Sequence, residues 1–237
     1  TRIMTRLWNQ PLAGDGKQRF YDVPTDYYAF ADIDQAVHLG LVEVGEDRIF
    51  SPESPATMEE ALQMLLKILH YDNYQTASGE EPQFIAKRIG LIEQINLADH
   101  LVTKGELARL IYRSFFTGIL EPISLDGDAI VWQESDRTTL FYLGLERSEG
   151  VVTANDVSSL YYSGQKAPHD TVRINDILFA QGDSGANRYL GYNVEIFFDD
   201  TNVEQKNIRY IHPLNNNEIL AINAADISGF SDGSLQY

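Results

Sequence analysis

The chain has 237 residues, 43% of them hydrophobic, enough apolar material for more than one core and therefore for two folded units. Its 35 acidic and 18 basic residues leave a formal net charge of −17, which opposes binding to nucleic acid or to an anionic membrane surface. Cysteine is absent, which excludes disulfides, thiol catalysis and cysteine-ligated zinc and suits an extracellular protein, and no apolar run approaches the ~18 residues of a membrane span.

Arg2 to Trp8 reads as a helix, followed by a polar linker over Gln10 to Gln18. Because the chain opens on Thr1, the expectation is a fragment or processed form that begins inside a structural repeat. Farther on, Pro52 and Pro55 precede Thr57, and Glu60 stands three residues later, the pattern of a capping box. Leu62, Leu65, Leu66 and Leu69 then share one helical face, predicting a helix from Thr57 to His70. Thr103 and Glu106 repeat the start signal, with Leu107, Leu110, Ile111, Ser114 and Phe115 on one side and Gly118 as the expected stop.

Each of these helices follows a shorter segment of one kind, Ala36 to Val42 and Ala86 to Ile92, each with Gly-Leu just before its last residue. The spacing is 50 residues at Ala36/Ala86 and 46 at Thr57/Thr103, so the unit repeats with a loop deletion of four. Beyond it, Pro122 to Asp128 reads as a turn-rich connector and Asp136 to Leu145 as a short bridging helix. Alternation then predicts strands at Gly150 to Thr153, Thr171 to Ile174, Tyr192 to Phe198, Ile208 to Ile211 and Glu218 to Ile222. Glycines and the Asn215 to Asn217 run supply turns, with Asn217 expected in a left-handed position. The expected fold class is α+β: helical repeats over residues 1–120 (1–19, 20–70 and 71–120), a connector at 121–149, a small antiparallel barrel or sandwich at 150–230 and a tail at 231–237.

Phe20-Tyr-Asp22-Val23, Tyr28-Ala29, Ile33, Ala36, Gly40-Leu41, Phe50, Pro52 and Thr57-Met-Glu-Glu60 resemble, in order and spacing, the S-layer homology repeat. The unit from Phe84 to Phe116 is similar but lacks Phe-x-Asp-Val and Phe-x-Pro. The resemblance implies a pseudo-threefold bundle of three repeats that binds pyruvylated secondary polysaccharide in the Gram-positive wall and anchors or displays a surface protein of Firmicutes. The β region resembles, more loosely, a module that follows such repeats.

The resemblance implies a polysaccharide-binding surface at Asp22, Tyr28, Gly40, Thr57, Thr103 and Lys104. The family's cation after the capping threonine is Lys104 in one unit and Met58 in the other, so the bidentate guanidinium fork is lost in both. Structural readings stand beside these: Thr57 and Thr103 as caps alone, Tyr28 as core, Asp22 as a loop clamp. Met58 also suits a second reading, in which the same folds pack neighbouring subunits of a surface lattice, filament or virion with no sugar ligand.

No enzyme, cofactor or metal is expected. Gly182-Asp-Ser-Gly185 near His169 matches a serine-protease string, but a turn between strands explains it. The five histidines share no metal spacing, and Asp126-Gly-Asp128 and Asp199-Asp200 fall short of a calcium loop's ligand count.

Overall fold

The computed structural model describes residues 1–9, 14–93, 100–127, 129–161, 164–199, 205–231 and 234–237. They form two compact units, Thr1–Leu145 and Glu146–Tyr237.

The first unit begins with α1 (Arg2–Trp8) and α2 (Phe30–His38). Then come α3 (Met58–Ile68), α4 (Asp72–Ser78), α5 (Pro82–Arg88) and α6 (Lys104–Ser114). Leu62, Leu65, Leu66 and Leu69 are buried, as their shared face predicts, and α3 packs against α1, α4, α5 and α6. Helix α2 packs against α1, and α5 packs against α3. Helix α6 is more peripheral; it buries Leu110 and Ser114 and half-buries Leu107 and Ile111.

Two expectations fail between residues 115 and 134. Gly118 does not end α6, which closes at Ser114 with Phe115 in right-handed conformation. The glycine instead permits a close approach, since a Cβ there would lie 2.5 Å from the Ser135 carbonyl oxygen. The supposed connector is a hairpin, β1 (Leu120–Asp126) paired antiparallel with β2 (Ala129–Glu134). Pro122 is tolerated because each strand of a two-stranded ribbon has a free edge, and the register shifts between Pro122 and Ser124. The hairpin is tied to α3: Leu120 N–H donates to Leu69 O at 2.9 Å and buried Tyr71 donates its hydroxyl to Glu134 Oε1 at 2.8 Å. Within 136–145, α7 (Thr139–Leu143) is the short helix, started by Thr138 accepting from Leu140 N–H.

In the second unit, β3 (Leu145–Ala154), β4 (Thr171–Ile174), β5 (Ile177–Ala180), β6 (Asn193–Asp199) and β7 (Lys206–Pro213) close a barrel in the order β3-β4-β5-β7-β6. Val152, Val172, Ile174, Phe179, Val194, Ile196, Phe198, Ile208 and Ile211 fill it. Asn175 and Asp176, at φ 47 and 64, make the tight two-residue turn that joins β4 to β5. The barrel is not wholly antiparallel: β7 returns between β6 and β5 and runs parallel to β5. That order follows from the chain between β5 and β6, whose two 3₁₀ turns, Gly182–Ser184 and Ala186–Tyr189, carry it across before β6 begins.

Three further corrections concern the end of the chain. Residues 218–222 form no strand, and Ile219 and Leu220 are exposed. Asn217 is not left-handed; its amide group accepts from Asn193 N–H and donates to Asn193 O and Leu214 O, as a backbone ladder would. The expected tail is part of a hairpin that starts before it, β8 (Gly229–Ser231) paired with β9 (Ser234–Gln236).

Candidate functional site

The starts of α3 and α6 are built alike and lie side by side. Thr57 Oγ1 accepts from Glu60 N–H at 3.2 Å while Glu60 Oε2 accepts from Thr57 N–H at 2.8 Å. Thr103 and Glu106 make the same reciprocal pair at 3.2 and 2.9 Å. The segments ahead of the two helices form an antiparallel bridge, with Met58 N–H donating to His100 O at 2.7 Å and Val102 N–H to Ala56 O at 2.9 Å. His100 thus serves both helices, because its Nε2 lies 2.8 Å from Glu106 Oε1. Donation from the Thr103 backbone N–H above all, then from its hydroxyl and from His100, holds the Glu106 carboxyl down at about 2.

The residue after each threonine decides what each helix start presents. Met58 is 4% exposed and belongs to the helical core, so that position offers nothing to a ligand. Lys104 is exposed and has no ion pair among the described residues, leaving an ammonium at a helix start, where the backbone N–H groups also favour an anion.

The other expected residues divide into two places. Asp22 clamps the loop before α3, accepting from Phe50 N–H at 2.9 Å and Ser51 N–H at 2.6 Å, which holds Ser51 at φ 57. Those bonds, the Phe50 one first, keep the Asp22 carboxyl below its ordinary range. Tyr28 is 76% exposed, so its reading as core is wrong; its ring lies 4.6 Å from that of Tyr27, whose hydroxyl donates to Glu53 on the same loop. Gly40 lies elsewhere. It turns the chain at φ 69 after α2, and its carbonyl accepts from Lys67 Nζ at 2.7 Å. Lys67 is ten residues beyond Thr57, about 15 Å along the helix at 1.5 Å per residue, so Gly40 does not share a site with the cap.

The Lys67 contact belongs to a pattern that motif matching passed over. Lys67 also pairs with Glu43 at 3.1 Å, three residues after Gly40. In the next unit Arg113, again ten residues beyond its threonine, donates to Leu91 O at 3.2 Å and pairs with Glu93, three residues after Gly90. The identical offsets were available in the sequence as a signal; the contact itself was not.

In the barrel, Ser184 of the protease-like string donates its hydroxyl to Gln181 O at 2.6 Å within a 3₁₀ turn that opens on Gly182 and is followed by Gly185, both at positive φ. Asp128 and Asp200 lie outside the described residues, and Asp199 Oδ2 accepts from Arg209. Among the described residues no group of three or more His, Asp or Glu could hold a metal ion, and no helix is long and apolar enough to cross a membrane.

No protein-family profile matches the chain, and no solved structure does. It is similar to a protein named "Cell surface protein" from Thermoanaerobacter kivui, 29% identical over 106 residues, which are 44% of this chain and 13% of that protein. The chain therefore matches only a small part of that relative's length.

Proposed function

We propose that the chain is a non-covalent anchoring or display segment at the bacterial cell surface, whose S-layer-homology-type repeats bind an anionic secondary polysaccharide of the wall, such as a pyruvylated one. The observation that carries this reading is the start of α6, where exposed Lys104 stands beside a capped helix start with no ion-pair partner among the described residues. A carboxylate-bearing sugar suits an ammonium at a helix N-terminus. The stacked, exposed Tyr28 is the kind of flat surface that takes a pyranose face. The cell-surface name of the T. kivui relative supports an extracellular location at the cell wall.

The test is sedimentation of the purified chain with wall sacculi. Binding that is lost on Lys104→Ala and on stripping the secondary polymer from the sacculi supports the reading; equal retention by stripped sacculi overturns the polymer. A second reading, assembly against neighbouring subunits of a surface lattice, filament or virion without a sugar, is favoured by Met58, whose burial leaves one of the two helix starts with no cation. Ordered arrays in electron microscopy with no affinity for polymer would decide for it.

A further inference from the structure

Arg48 stands in the loop ahead of α3 at φ 51, a left-handed conformation that a residue with a Cβ adopts only at a cost. Its side chain is held in place on the surface. Nε donates to Arg19 O at 2.7 Å and Nη2 to Gln18 O at 3.1 Å, and the guanidinium lies over the Tyr21 ring, 4.8 Å from its centroid. Tyr21 N–H in turn donates to Arg48 O at 2.9 Å, so ring and cation are also joined through the backbone.

These bonds occupy the Nε–Nη2 edge of the guanidinium. The Nη1–Nη2 edge, two parallel N–H groups matched to the two oxygens of a carboxylate, has no partner among the described residues. The neighbouring charges are engaged elsewhere: Lys17 pairs with Asp15, Arg19 with Asp15 and Asp34, and Asp47 accepts from Ile49 N–H at 3.3 Å. Apolar surface adjoins the free edge's support, since Tyr21 is 67% and Ile49 47% exposed.

We infer that Arg48 and Tyr21 form a second anionic-sugar subsite, distinct from Lys104, for a carboxylate carried on a pyranose ring. The free guanidinium edge pairs with both carboxylate oxygens, and the apolar face of the sugar lies against the exposed surface of Tyr21. The carboxylate follows from the fork; the sugar rests on the function proposed above. The unit that loses its cation to packing at Met58 thus regains one in the loop before it. A uronic acid and a pyruvate ketal both present this chemistry.

The experiment titrates methyl glucuronide and, separately, the pyruvate ketal of methyl glucoside into the isotopically labelled 237-residue chain and follows the Ile49 backbone amide resonance, with methyl glucoside as the neutral control. A saturable shift with a Kd on the order of 1 mM is expected from at least one acid and none from the neutral sugar, and the tighter acid identifies the source of the carboxylate. Arg48→Lys, which keeps the charge without the fork, and Tyr21→Ala should each weaken binding about tenfold. Arg48→Gly, which suits φ 51 and so keeps the turn, should abolish it, while Lys104→Ala should leave it unchanged. On sacculi, Arg48→Gly should lower retention as Lys104→Ala does, because two weak sites act together. No shift with either acid up to about 10 mM, an equal shift with methyl glucoside, or a shift indifferent to Arg48→Gly overturns the subsite and leaves anchoring through Lys104 untouched. An Arg48-dependent shift in a chain that sediments equally with stripped sacculi supports the subsite while overturning the wall polymer as its ligand.

Discussion

Helices α3 and α6 begin with the same reciprocal Thr–Glu cap and carry a cation, Lys67 or Arg113, at the same position near their end, yet α3 lies at the centre of the helical core and α6 at its rim. The residue after the threonine follows that placement. At the centre it is Met58, part of the packing; at the rim it is Lys104, facing solvent. Caps and tethers are therefore common to the two helices, and what each helix start exposes is set by one side chain and by how deeply its helix is buried.

The largest test of this contrast is in the packing. Leu65→Ala, at a fully buried position of α3, should cost about 2–5 kcal/mol, whereas Ile111→Ala at the matching, half-buried position of α6 should cost clearly less; urea unfolding of both variants measures the difference. Next in size, Met58→Lys would place an unpaired ammonium in the core and should lower the unfolding midpoint, while Lys104→Met should leave it within about 0.5 kcal/mol and still abolish binding to sacculi. Thr57→Ala and Thr103→Ala should each cost about 1 kcal/mol, equal within error, because the two caps have the same geometry. A larger penalty at Thr57 would mean that the caps too depend on burial.

The smallest effect is one of pH. The Glu106 carboxyl titrates at about 2 in the folded chain against an ordinary 4.5, so its contribution to stability is complete above about 4.5 and disappears as the pH falls toward 2. The stability gap between the parent chain and Glu106→Gln should close over that window in pH-dependent unfolding. A gap that persists at pH 2 would contradict the assignment of the carboxylate bonds.

Features carried by local chemistry were legible in the sequence: both capping boxes, the Gly-Leu helix ends and the leucine face of α3. Those that depend on a distant partner were not. Pro122 and Gly127 signal a turn from either side, and only the pairing of Leu125 with Ile130 makes the segment a hairpin. Conversely, Glu218 to Ile222 has strand-like residues and no ladder among the described residues to join. Among the site residues, the alternative reading of Tyr28 as core failed because an aromatic within an apolar pattern resembles core in sequence, whereas the ring is exposed beside Tyr27. His100 carried no motif at all, since its role comes from two helix starts brought together by the bridge at Thr57 and Leu101.

The tether from the end of α3 back to the Gly40-Leu41 turn makes the segment between Glu43 and Thr57 a handle. Fourteen residues separate Glu43 from Thr57 and ten separate Glu93 from Thr103, yet both acids meet a cation at the same helical position. With both ends of the excursion clamped, its length is free to change. Foreign peptides grafted between Glu43 and Phe50 would then be carried outward by a frame that keeps its shape, a route by which insertions diversify such a surface and by which it can be engineered to present an epitope.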